Sequence, residues 1–275
     1  TRRSSDLHMV APAVETAAPA IRAISHPSTN RRILDLVLPL LTPQSRLLDL
    51  GAGEGFFSRA VGDFAQARLG VRPAELLAAC DVTPGLFRYP HVACDLLDAE
   101  APLPYPDNHF DVVCSVEVVE HVQDQFRFCR EIVRVLKPGG TAIVSTPNVL
   151  NMNSRLRVLH SGFATLFNPL SLSSNDVVHT SGHIHPVSYY YLGYALLHAG
   201  ASTVGVTYDR FKRSAFVSLA ACLPLLLAGN AGFRARLRRK SPQVAHENRA
   251  FLDAMNDWRM LTARSVVVIA RKGAS

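Results

Sequence analysis

Short apolar runs alternate along this chain with longer stretches whose apolar positions recur at helical spacing. The short runs fall at residues 46–51, 76–81, 91–94, 110–116, 141–145, 202–208 and 265–271. Most are apolar on consecutive positions rather than on every second one, which is how strands covered on both faces read. Helical spacing falls at 31–41, 55–69, 121–136 and 188–198. Ser28, Thr29 or Asn30 can cap the first of these helices, and Lys137-Pro138-Gly139-Gly140 reads as the stop signal of the third. Strands alternating with helices predict an α/β fold, a mostly parallel sheet with helices on both faces.

Two segments interrupt the alternation. Residues 149–182 form a polar, Asn- and Ser-rich insertion directly after a strand, at the sheet edge where open α/β sheets bind ligands. Residues 209–263 separate the last two strands and contain an apolar run at 215–228, followed by the basic cluster Arg234, Arg236, Arg238, Arg239 and Lys240. That run is 14 residues long and contains Pro224, shorter than the roughly 20 residues of a typical membrane span. It reads as a buried helix or a lid over the substrate side. Alternatively, with Arg210, Lys212 and Arg213 before it and the basic cluster after it, residues 215–240 form a segment in peripheral contact with a membrane. Residues 1–27, rich in Ala, Pro and Ser, read as a flexible arm, and 28–275 as one domain carrying both insertions.

Composition narrows the class. The chain has 275 residues, 48% hydrophobic and 19% charged, which suits one globular domain. Its five cysteines form no C-x-x-C pair, so they read as reduced thiols of a cytoplasmic protein rather than a disulfide or zinc framework. Residues 1–25 lack a secretory pattern. The net charge of +7 comes mostly from arginine and is mixed in sign outside the basic cluster, which is a solvated helix face or a lipid or nucleic-acid site.

The chemistry centres on Asp49-Leu50-Gly51-Ala52-Gly53-Glu54-Gly55, where a strand ends, glycines follow at every second position and a helix begins. Such a turn lets a ligand lie against the backbone, and the helix start attracts a carboxylate or phosphate. The spacing G-x-G-x-G differs from the G-x-G-x-x-G of dinucleotide binders. Further on come Asp81 at the end of the second strand, Asp95-Leu96 after the third, and residues 103–113, which lead to Lys137-Pro138-Gly139-Gly140.

In this order and spacing the motifs resemble those of class I S-adenosylmethionine-dependent methyltransferases, over roughly residues 44–208 plus the final strand. The resemblance implies a Rossmann-like seven-stranded sheet with the last strand antiparallel. It implies S-adenosyl-L-methionine as cofactor, its methionine part on Gly51, Gly53 and Gly55 and its amino group held by Asp49. Asp81 would accept from the ribose hydroxyls and Asp95 from the adenine amino group, with Leu96 and Val116 lining the pocket.

Methyl transfer is a displacement at a sulfonium, so a hydroxyl acceptor needs a base or a metal ion. Glu117-Val118-Val119-Glu120-His121, if helical, puts Glu117, Glu120 and His121 on one face. This E-x-x-E-H pattern resembles that of ubiquinone-biosynthesis O-methyltransferases and of small-RNA 2′-O-methyltransferases. By that resemblance Glu117, Glu120, His121 and His183, the last preferred over His185, would hold Mg²⁺, Mn²⁺ or Zn²⁺. The other reading is that they shape the cofactor pocket without metal. His121 is the candidate catalytic residue either way.

The expected function is methyl transfer to an oxygen of a small-molecule, glycan or lipid-linked acceptor. Asn151, Asn153, Arg155, Arg157 and the tyrosines 189–191 lie on the expected substrate side. RNA 2′-O-methylation with a divalent metal is the alternative, although the chain lacks an obvious basic and aromatic single-strand platform. A non-catalytic cofactor-binding subunit is a further one.

Overall fold

The apolar runs become the strands of a single sheet in the computed structural model, which describes residues 21–98, 101–173 and 182–274. In chain order the first half comprises α1 (Pro27–Val37), β1 (Leu47–Leu50), α2 (Phe56–Phe64), α3 (Pro73–Leu76), β2 (Leu77–Asp81), β3 (Cys94–Leu96), β4 (Phe110–Val116), α4 (Gln125–Val135) and β5 (Leu136–Pro147). The second half comprises α5 (Met152–Ser161), α6 (Tyr189–His198), β6 (Ala201–Tyr208), α7 (Arg213–Lys240), α8 (Pro242–Glu247), α9 (Arg249–Met255), α10 (Trp258–Thr262) and β7 (Ser265–Lys272).

The sheet order is β3-β2-β1-β4-β5-β7-β6. Strands β1 to β5 pair in parallel, and β7 runs antiparallel between β5 and β6. The sequence expectation of a mostly parallel, seven-stranded sheet with its last strand antiparallel therefore holds.

Successive strand residues serve opposite faces. Leu47, Val112, Cys114, Ile143 and Val267 join one core with Ile33 and Val37 of α1 and Phe57 and Val61 of α2. Leu48, Leu50, Val113, Val144, Val266 and Val268 join the other with Ile132 of α4 and Leu192 and Leu196 of α6. Two covered faces explain why the strand runs carry few polar residues.

The helix boundaries differ from the sequence expectation. α1 begins at Pro27, capped by the His26 side chain, which accepts from Ser28 N. Thr29 and Asn30 are buried within it, Thr29 Oγ1 donating to Asp209 Oδ2 at 2.9 Å. α4 begins at Gln125 rather than His121, because Asp124 accepts from Arg127 N at 2.8 Å and sets the cap there. The helix does end at Val135, just before the expected stop Lys137-Pro138-Gly139-Gly140, and those residues open β5 as an irregularity between the pairs Phe110–Leu136 and Val112–Thr141.

The larger correction concerns residues 215–228. They belong to α7, a continuous helix of 28 residues that also carries the basic cluster. Ala215 is its one buried residue, so the buried-helix reading does not hold. Of the expected arm, residues 1–20 lie outside the described residues, as do 174–181 of the first insertion.

Candidate active site

At the end of β1 the chain turns on three glycines, all with positive φ: Gly51 at 84°, Gly53 at 53° and Gly55 at 89°. A Cβ on Gly51 would run into Val118, and one on Gly55 would meet the Phe87 ring at 2.9 Å. Backbone freedom and lack of side-chain space therefore require glycine at both. The turn delivers the chain into α2 through Gly55, with no side-chain cap, so the first-turn amides of α2 are left for a ligand. Two backbone bonds, from Gly51 N and Ala52 N to Cys80 O, fasten the turn to β2.

The expected cofactor carboxylates surround this turn. Asp49 is buried, and Ser58 Oγ donates to its Oδ2 at 2.6 Å. Burial pushes the Asp49 carboxyl up to about 7, with the Ser58 hydrogen bond working against the rise and the Asp81 charge adding to it. Asp81 accepts from Gly53 N and from Thr83 N, both at 2.8 Å, one on each oxygen. A carboxylate oxygen takes about two hydrogen bonds, so Asp81 keeps capacity for vicinal hydroxyls while bracing the turn. Asp95 lies on β3 beside Cys80, and Tyr105 Oη donates to its Oδ2 at 2.8 Å. Leu96, the next residue, is 63% exposed. Val116 closes β4 opposite Ser145.

After β4 the chain does not run helically from Glu117. Glu117 has φ 55°, and a short 3₁₀ turn covers Val119–His121. The run therefore splits. Glu117 turns toward β7, where Ser265 Oγ donates to its Oε1 at 2.8 Å. Glu120 and His121 stay together because residues 182–187 lie alongside them, Ile184 N and His185 N both donating to Glu120 O. That pairing brings His183 to His121, the ring centroids 4.9 Å apart. One ligand atom each from Glu120, His121 and His183 lies within 4.8 Å of the other two. Glu117 stands outside this group among the described residues. His185 faces away, its Nδ1 2.8 Å from Val122 O.

Protonation in this group follows from its partners. His121 Nδ1 lies 2.9 Å from Gly182 O. A carbonyl only accepts, so Nδ1 carries a hydrogen, and in the neutral ring the lone pair is on Nε2. Glu120 is fully buried and burial pushes its carboxyl up to about 8. Burial and the neighbouring His121 hold His183 below the usual imidazole range. Among the described residues, neither Glu120 carboxylate oxygen has a hydrogen-bond partner, nor does His183 Nδ1. Unpartnered buried acceptors cost free energy unless a proton or cation comes to them, and one carboxylate with two imidazoles suits Mn²⁺ or Zn²⁺ better than Mg²⁺.

Of the expected substrate-side residues, Asn151 caps α5, its Oδ1 accepting from Ser154 N. Asn153 joins α5 to α7 through Ser214. Arg155 and Arg157 bond backbone and side-chain oxygens of neighbouring segments. Tyr189 is buried in the core, whereas Tyr191 is 64% exposed.

Sequence reasoning missed Ser58, Tyr105 and Ser265, the partners of Asp49, Asp95 and Glu117. It also missed Arg264, whose charge is felt at Glu120 and whose guanidinium is disfavoured by burial and favoured by the Glu117 and Glu120 charges. Tyr105 lay within the motif at 103–113. The pairing of Ser265 with Glu117, 148 residues apart, has no local signal.

Residues 48–144 match the family described as methyltransferase domain. A "probable S-adenosylmethionine-dependent methyltransferase" of Mycolicibacterium smegmatis is 40% identical over 103 residues, covering 37% of this chain and 38% of that protein. One of Mycobacterium tuberculosis is 32% identical over 151 residues, 50% of this chain and 53% of that protein. The 2-methyl-6-phytyl-1,4-hydroquinone methyltransferase of Synechocystis is 35% identical over 115 residues, 40% of this chain and 35% of that protein. The chain thus spans between 35% and 53% of the length of these curated relatives. A solved S-adenosylmethionine-dependent methyltransferase from Archaeoglobus fulgidus superposes with a TM-score of 0.52 at 16% identity, over 88% of this chain and 92% of that one, a likeness of fold. Residues 48–144 thus carry a methyltransferase domain, set in a sheet with the fold of a solved S-adenosylmethionine-dependent methyltransferase, and S-adenosylmethionine is the cofactor for which the curated relatives are named.

Proposed function

We propose that the protein transfers the methyl group of S-adenosylmethionine to an oxygen of a small-molecule, glycan or lipid-linked acceptor. The observation that carries this reading is His121, whose Nδ1 is held by Gly182 O and whose ring lies beside His183 and Glu120. Val118, three residues before it, packs on Gly51, so the imidazole is close in the fold to the glycine turn. In this reading the acceptor oxygen attacks the methyl carbon as the sulfonium leaves as a thioether. The acceptor hydroxyl proton passes to His121 Nε2. Gly182 O fixes the imidazole's tautomer and orientation through Nδ1. The Synechocystis relative is named for a hydroquinone bearing a phytyl chain, which supports an amphiphilic phenol among the candidate acceptors.

Asp49, the glycine turn, Asp81 and Asp95 would hold the cofactor, with Leu96 and Val116 beside them. If a divalent ion is bound instead, Glu120, His121 and His183 would hold it; His121 Nε2 would then be a ligand rather than the base, and the ion would lower the proton affinity of the acceptor oxygen. That donor set also favours a second reading, metal-dependent 2′-O-methylation of RNA.

Product assays with hydroquinone, glycan and RNA acceptors, with and without chelator, separate the readings. For the transferred acceptor, His121→Ala should lower kcat by roughly 10²–10⁴-fold while calorimetric affinity for S-adenosylmethionine stays within a few-fold. Undiminished kcat in this variant would remove His121 from the reaction.

A further inference from the structure

We infer that α7 lies in the plane of an anionic phospholipid bilayer, its outward apolar face in the boundary between headgroups and acyl chains. A surface helix of a soluble protein turns its apolar stripe inward and its charges outward. α7 has an inward apolar stripe, in which Ala215, Leu219, Cys222 and Leu226 pack with Met152 of α5 and Leu261 of α10. Its outward face is apolar as well. Val217 is 73% exposed, Leu225 76% and Leu227 62%, with Phe216, Leu223 and Phe233 also exposed. No charged residue interrupts the helix between Arg213 and Arg234. An apolar face of this kind marks an interaction surface.

Charge selects the occupant. From Arg210 to His246 the chain holds eight cations and no carboxylate: Arg210, Lys212 and Arg213 at one end, Arg234, Arg236, Arg238, Arg239 and Lys240 at the other, of which Arg210 pairs with Asp209 and Arg234 with Asp253. Two copies of this face would bring like charges together, whereas anionic lipid phosphates complement both ends. Phe211, Phe216 and Trp258, all partly exposed, cluster at the first end with ring centroids 5.2 and 6.1 Å from the indole. Aromatic rings of this kind settle at the membrane–water boundary.

By length and composition the helix could cross a bilayer, but its inner side is held to the domain along its length. Besides the stripe above, Asn230 is bonded by Asn256 Nδ2, and Arg234 pairs with Asp253. A helix fastened in this way lies on the membrane rather than through it.

The placement also aims the active site. Lys212 N donates to Thr262 O and Arg264 N to Arg210 O, one residue before the Ser265 that holds Glu117. Bilayer contact at α7 would therefore lie next to the segment that holds Glu117. That this delivers an amphiphilic acceptor rests on the methyl-transfer reading; the docking surface does not.

Cosedimentation of the full chain with phosphatidylcholine vesicles, with and without phosphatidylglycerol, tests the surface without cofactor or acceptor. The parent should bind the anionic vesicles at low salt, and less at high salt or without phosphatidylglycerol. The Leu225→Asp/Leu227→Asp variant should lose at least about tenfold in partitioning, with parent-like circular dichroism and cofactor affinity. Arg238→Ser/Arg239→Ser should lose the preference for anionic vesicles while keeping the same fold. No binding at low salt, or binding indifferent to the Leu225/Leu227 change, overturns the proposal. So does a dimer in sedimentation velocity that the same change dissociates while the parent ignores vesicles, since the face would then belong to a second copy.

Discussion

Asp49 shows how a single carboxyl links fold and site. It sits inside the sheet with Ser58 as its hydroxyl partner, and burial raises it to about 7 from an ordinary 3.8. Between those values the folded chain holds the proton and the unfolded chain does not. Its contribution to stability is therefore fully present below about pH 4 and is lost as pH rises through 7. At about 1.4 kcal/mol per unit of separation, the swing is on the order of 4 kcal/mol. Asp49→Asn, which keeps the shape and removes the ionisation, should flatten the dependence of denaturant stability on pH across this window. A slope equal to the parent's would contradict the assignment. Asp49 and Asp81 were legible as residues because a strand end followed by glycines is a local pattern. Their partners were not. Ser58 meets Asp49 from across a turn and Gly53 meets Asp81 through its backbone, and neither leaves a mark on spacing.

At the scale of elements, α4 shows where local reading fails and what replaces it. His121 looked like the first residue of a helix because apolar spacing extends back to it. Asp124 caps the helix instead, and the positive φ of Glu117 sends the preceding run into a 3₁₀ turn. That turn separates Glu117 from Glu120 and His121, so of the three residues the helical-face argument grouped, only Glu120 and His121 stay together. The other end of α4 holds the loop at 101–109. Arg134 pairs with Glu131 and Asp107, both at 2.7 Å, and donates to the carbonyls of Leu103 and Tyr105, while Glu131 accepts from Leu103 N. Arg134→Ala would leave a half-buried Glu131 and two carbonyls without their donor, a loss of about 1–3 kcal/mol in urea unfolding. Because the same loop carries Tyr105, the partner of Asp95, cofactor affinity should fall with it. A variant as stable as the parent would show that the clamp contributes nothing.

On the scale of the whole molecule, chain order and the apolar runs made the sheet legible. Parallel strands covered on both faces have few other arrangements once helices alternate with them. The insertions were less legible because their neighbours are distant in sequence: α7 rests on α5 and α10, and His183 reaches His121 across 61 intervening residues. Calorimetric titration with S-adenosylmethionine tests the central claim most directly, in the parent and in Asp81→Ala. The account predicts one binding site per chain and at least about a tenfold loss in the variant, or 1.4 kcal/mol, with the fold retained by circular dichroism. A parent that binds NAD but not S-adenosylmethionine, or an Asp81→Ala variant of unchanged affinity, would contradict it.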